Sequence, residues 1–212
     1  MRTSHKEMRR KINAEVSKIT DEELFSSAAF AAYLTDIAEA VTKRYKRKLR
    51  VETIYDTSEN AMIACTNNRN ILINTGNYIS QSMPYRKLKA ESILGLVGHE
   101  VGHMLFTNFR ISETYFSELS YGRLYPQMEL SEEEQESFTE VTDYFKAGTE
   151  AQKQAILKAA KLLLNILEDA YIEARICDRY TGRFATGIHL NNIRFTEMMP
   201  SVTEQLTNGC YR

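Results

Sequence analysis

Apolar positions recur at intervals of three and four along most of the chain, the pattern of helices that each bury one face. From Lys6 to about Ile19 a charged stretch carries Met8, Ile12, Val16 and Ile19 on one side. Thr20 opens a second helical region whose centre, Leu24 to Val41, is alanine-rich and apolar over a broad face, which predicts one buried helix. It runs into Lys43-Arg44-Tyr45-Lys46-Arg47-Lys48, a set of cations suited to the negative end of a helix; an acidic partner or nucleic acid is the other use of such a run.

The period then changes. Val51 to Tyr55, Ala61 to Cys65 and Ile71 to Asn74 read as short strands, the last two joined by the turn Thr66-Asn67-Asn68-Arg69-Asn70. Pro84 suits the first turn of a helix reaching Phe106, striped by Leu94, Val97, Val101, Met104 and Leu105. After Asn108 the periodicity weakens through Tyr115, Tyr121 and Pro126, predicting a loop or short helices. Ser131-Glu132-Glu133-Glu134 is a capping box for a helix to about Lys146, stopped by Gly148. Thr149-Glu150-Ala151-Gln152 is a second box, opening a long helix to about Tyr180 with Gly182 as its stop. Residues 184–212 show weak helical character around His189 to Met199, broken by Pro200, and end as a fragment of a longer chain would. The expected class is α+β: a mostly helical domain over 1–212 with a small mixed β-sheet and hairpin before the helix that ends at Phe106. Its parts are N-terminal helices (1–50), sheet and central helix (51–109), a helical part (129–182) and a tail (183–212).

Composition narrows the functional classes. The chain has 212 residues, 43% hydrophobic and 26% charged, with a formal net charge of −1, so nothing global points to nucleic acid. Cys65, Cys177 and Cys210 form no CxxC pair and leave one over, which argues against a disulfide framework or a cysteine zinc site and fits a reducing cytoplasm. No secretion signal or membrane span is visible.

The chemistry concentrates in His99-Glu100-Val101-Gly102-His103. On a helix, positions i and i+4 stack on one face, so His99 and His103 both reach one metal ion. Glu100 follows by about 100°, beside the metal but outside its coordination, where it can polarise a water. Gly95, Gly98 and Gly102 each cost helix propensity, which predicts that this helix is pressed against another backbone. A catalytic zinc commonly takes three protein ligands, and the long helix offers a third in Glu168 or Asp169, acids set in the apolar stretch Leu162 to Ile172. Glu173, four residues after Asp169, is placed to orient a zinc-bound histidine. His189 and Tyr171 are the candidates for stabilising the oxyanion.

His99 to His103 is the HExxH signature of zinc metallopeptidases. Together with Asn165-Ile166-Leu167-Glu168-Asp169-Ala170-Tyr171-Ile172-Glu173 it resembles the peptidase-like region that precedes von Willebrand A domains in some bacterial and phage proteins, including cobaltochelatase T-subunit-like chains. It is similar also to zincin-type metallopeptidases in which an aspartate replaces the third-ligand glutamate of gluzincins. The resemblance spans roughly Ala61 to Arg175. It implies a zincin-like fold, one Zn²⁺ per chain, a polypeptide substrate, and a von Willebrand A domain or ATPase as partner. It implies further that an edge strand, Ile71-Leu72-Ile73-Asn74, takes extended substrate by strand addition. The alternative function is a metal-holding recognition or assembly module without catalysis.

Overall fold

The computed structural model describes residues 4–45 and 48–207, so Lys46, Arg47 and Cys210 of the sequence arguments lie outside the described residues. By contact the chain divides into two compact units, residues 1–105 with 175–212, and residues 106–174.

The first unit begins with α1 (His5–Val16), α2 (Asp21–Phe25) and α3 (Ala28–Thr42). Ser4 and Thr20 close capping boxes on α1 and α2. The single helix expected from Thr20 to Val41 is two, because Ser27 leaves the helix to cap a new one, its hydroxyl accepting from the Phe30 N–H. Lys43 ends α3 in the left-handed conformation. The strands β1 (Arg50–Ile54), β2 (Ala64–Thr66) and β3 (Asn70–Asn74) follow. They form a mixed sheet in the order β1-β3-β2, with β1 parallel and β2 antiparallel to β3.

This order corrects one expectation. Ile71 to Asn74 is not an edge: β3 is the central strand, paired on both sides, and its backbone has no free row for a substrate. The parallel β1 strand, supplied from far upstream, covers the side that a lone hairpin would leave open.

The α3 helix packs on β1, and the Val51 N–H donates to the Thr35 hydroxyl. Phe25, Leu34, Ala38, Val51, Ile71 and Ile73 are buried there. At the end of the sheet, the Asn74 amide accepts from the Asp56 and Gly76 N–H groups and donates to the Asp56 carbonyl. The short α4 (Tyr78–Gln81) leads into α5 (Arg86–Phe106), which carries the histidine motif.

The tail, expected to show only weak helical character around His189 to Met199, contains a full helix, α9 (Arg183–Met198), followed after Pro200 by the short α10 (Val202–Thr207). Phe184, Gly187, Ile188 and Asn191 of α9 are buried, at three- and four-residue spacing. Gly187 meets Gly95 of α5, Phe184 meets Gly98, and the Asn191 amide donates to the Ser92 carbonyl. The close backbone approach foretold by the α5 glycines is therefore made by α9.

The second unit holds α6 (Phe109–Ser120), α7 (Glu132–Ala147) and most of α8 (Glu150–Arg179). Both capping boxes form as expected, Ser131 with Glu134 and Thr149 with Gln152. Among the described residues, no helix is long and apolar enough to cross a membrane.

Candidate metal centre

The α5 helix brings its chemistry out of one of the most buried stretches of the chain: Ser92 to Gly98 is buried throughout. Small residues make this possible, since Gly95 and Gly98 let α9 come close while Ile93, Leu94 and Val97 fill the core. His99 and His103 emerge half-buried on one face, with ring centroids 4.9 Å apart and planes at 74°. Glu100 is only 5% exposed.

The far end of α5 is held by a residue that the sequence assigns elsewhere. Arg44, read as a cation for the end of α3, donates from Nη2 to the Met104 carbonyl and from Nη1 to the Asn68 carbonyl and side-chain oxygen. It thus satisfies one of the last carbonyls of α5, one residue past His103, and ties it to the turn between β2 and β3.

The free edge of the sheet near this motif is β2. Asn74 donates to the Ile63 carbonyl and Asn67 to that of Asn70, so residues 63, 65 and 67 point their backbone groups at β3. By alternation, Ala64 and Thr66 turn theirs to the open edge. Cys65, between them, is held above the ordinary thiol range by partial burial and by the charge of Glu100.

The ligand atoms offered by His99, His103 and Asp169 all lie within 4.8 Å of one another. Ligands about 2.1 Å from a tetrahedral zinc stand about 3.4 Å apart, which lies inside the 4.8 Å span of this group. Two imidazoles and one carboxylate with a fourth position left over suit zinc. Glu168, the other candidate, is not in the group. Glu173 is half-buried one turn after Asp169 on the same side of α8.

The two oxyanion candidates stand differently. Tyr171 is 53% exposed and, two residues beyond Asp169, projects about 200° around α8 from it, so helical geometry turns it away from a metal held by Asp169. His189 is exposed on α9, beside rather than on the buried face formed by Phe184, Ile188 and Asn191. The burial argument for the acids also changes. Leu162, Leu163, Ile166 and Leu167 are 55–68% exposed, so the α8 carboxylates do not stand in a dry segment. What brings Asp169 forward is its proximity to the histidines. The residues missed from the sequence are Ala64 and Thr66, whose backbone direction only the register reveals, and Phe184, Gly187 and Asn191, whose periodicity was legible.

Comparison of the chain with protein-family models, with curated proteins and with solved structures found no match in any of them.

Proposed function

We propose that this chain is a zinc-dependent peptidase in which His99, His103 and Asp169 hold the metal. The observation that carries the reading is the convergence of these three donors, with the buried Glu100 next to His99. When bound, zinc supplies Lewis acidity and lowers the pKa of a coordinated water to about 7. Glu100, which is not in the donor group, would serve as the base, its carboxylate accepting the proton of the attacking water and returning it to the leaving amine. The buried, glycine-lined seat of α5 holds that carboxylate in place before substrate arrives, so little reorganisation is left for the reaction.

Substrate lies along β2. An extended peptide there would bond to the outward N–H and C=O groups of Ala64 and Thr66 and pass beside Cys65, the residue within the field of Glu100. This moves the strand-addition site from β3 to its neighbour.

The test is cleavage of a broad peptide library by zinc-loaded protein and by Glu100→Gln. The reading expects cleavage by the first and a loss of at least about 100-fold in the second, the usual scale for removing a general base. Zinc-loaded protein that cleaves nothing, indistinguishably from Glu100→Gln, would leave a metal-holding recognition module.

A further inference from the structure

Two surfaces of this chain are apolar, exposed and complementary in charge. The first is α1, none of whose residues is buried. Met8, Ile12 and Val16 on α1, with Ile19 three residues past its end, make the stripe legible in the sequence and are 41–56% exposed. Helical arithmetic puts Arg9 about 60° to one side of this stripe, with Lys6 beyond it, and Lys11 about 100° to the other, with Glu15 the one acid at its border. Near the C-terminal end of α1 the Arg86 guanidinium donates to the carbonyls of Val16, its last residue, and of Ile19 just beyond it.

The second surface is a shallow, open groove of about 500 Å³ between α7 and α8, whose lining includes Glu140, Val141, Tyr144, Ala155, Ile156 and Ala159. Along α8 the exposed Leu162, Leu163, Ile166 and Leu167 continue its apolar floor at three- and four-residue spacing. The rim is acidic: Glu133, Glu136 and Glu140 follow one another on the outer side of α7. The stripe on α1 runs about 12 Å from Met8 to Val16 and the floor from Ala155 to Leu167 about 18 Å, at 1.5 Å per residue, so the floor is long enough to seat the whole stripe.

We propose that α1 of a second copy of this chain lies in this groove. Its stripe covers Val141, Tyr144, Ile156, Ala159 and Leu162, completing a three-helix layer, while Arg9 and Lys6 face Glu136 and Glu140. Charge complementarity selects the partner: the rim repels an acidic helix and accepts this basic one. Each copy has one donor helix and one groove, and in the proposed two-fold dimer the exchange is reciprocal. The inference is independent of the metal centre, because no proposed ligand takes part.

Sedimentation equilibrium on the full chain is the test, with circular dichroism confirming helix content in each variant. The wild type should associate to twice the chain mass at micromolar concentration, more weakly as salt rises. Ile12→Asp and Val141→Asp, both at exposed positions, should each weaken association at least about tenfold, as expected when an apolar anchor becomes a charge. Arg9→Glu and Glu140→Arg should each weaken it about threefold, and the two together should restore it. A wild type that is monomeric at every concentration overturns the proposal, as does a dimer indifferent to Ile12→Asp. A monomer that instead binds anionic vesicles through α1 also overturns it, and assigns the helix to a lipid surface.

Discussion

Gly95 and Gly187 meet backbone to backbone: a Cβ on Gly95 would stand 2.3 Å from the Gly187 carbonyl carbon, and one on Gly187 would stand 2.5 Å from the Gly95 nitrogen. No side chain is accommodated at that distance, so this contact sets how closely α9 backs the helix carrying the histidines. Gly95→Ala should destabilise the protein by about 1–3 kcal/mol through overpacking, less the fraction of a kilocalorie to about 1 kcal/mol that alanine gains in helix propensity. Gly98→Ala should cost less, because its new methyl meets the Phe184 ring, which can shift. Urea unfolding of both variants checks the order, and a Gly95→Ala protein as stable as wild type would remove α9 from this role.

Asp21 supplies the pH-dependent link between the N-terminal helices and α5. Partial burial opposes its charge, but hydrogen bonds from Lys89 and Arg86, at 2.8 and 2.6 Å, outweigh that and hold its carboxyl below the usual range. A depressed folded-state pKa contributes stability that is present above about pH 4 and is lost as pH falls through the folded value. Asp21→Asn should therefore cost about 1 kcal/mol at pH 7 and progressively less below pH 4. Urea unfolding at the two pH values measures it; a difference that grows in acid would contradict the sign.

The β2 edge makes a prediction that separates substrate binding from folding. Ala64 turns its N–H away from β3, so Ala64→Pro removes no bond of the sheet, and proline is tolerated at such edge positions. Zinc content and fold should survive, while KM for an extended peptide rises about fivefold, the worth of one hydrogen bond near 1 kcal/mol. An unchanged KM would take substrate off this edge.

For the third ligand, Asp169→Asn should weaken zinc binding far more than Glu168→Gln, since only Asp169 lies in the donor group. Glu173→Gln should fall between them, near the 10- to 100-fold expected for a residue that orients a ligand. Competition with a chromophoric chelator ranks the three, and a larger loss in Glu168→Gln would reverse the assignment.

Much of this was legible because it is local. The two serine and threonine capping boxes, the Gly148 stop and the pairing of His99 with His103 depend on residues within one or two turns, and the helices form where those signals stand. The hairpin of β2 and β3 was equally local. What escaped depends on pairing across distance. Whether Ile71 to Asn74 is central or edge is decided by β1, some twenty residues upstream. Whether Arg44 serves α3 or α5 is decided by where the Met104 carbonyl arrives. The exposure of Leu162 to Leu167 was illegible for a related reason: an apolar run states a preference for cover and does not say whether the same chain provides it.

The central claim is that α5 presents two zinc ligands with a base between them that is not one. Metal analysis of protein purified without added zinc addresses it most directly, on wild type, His99→Ala and Glu100→Gln. The expected result is one zinc per chain in the wild type and in Glu100→Gln, with almost none in His99→Ala. A wild type without bound zinc that also fails to take it up, or full zinc in His99→Ala, would contradict the account.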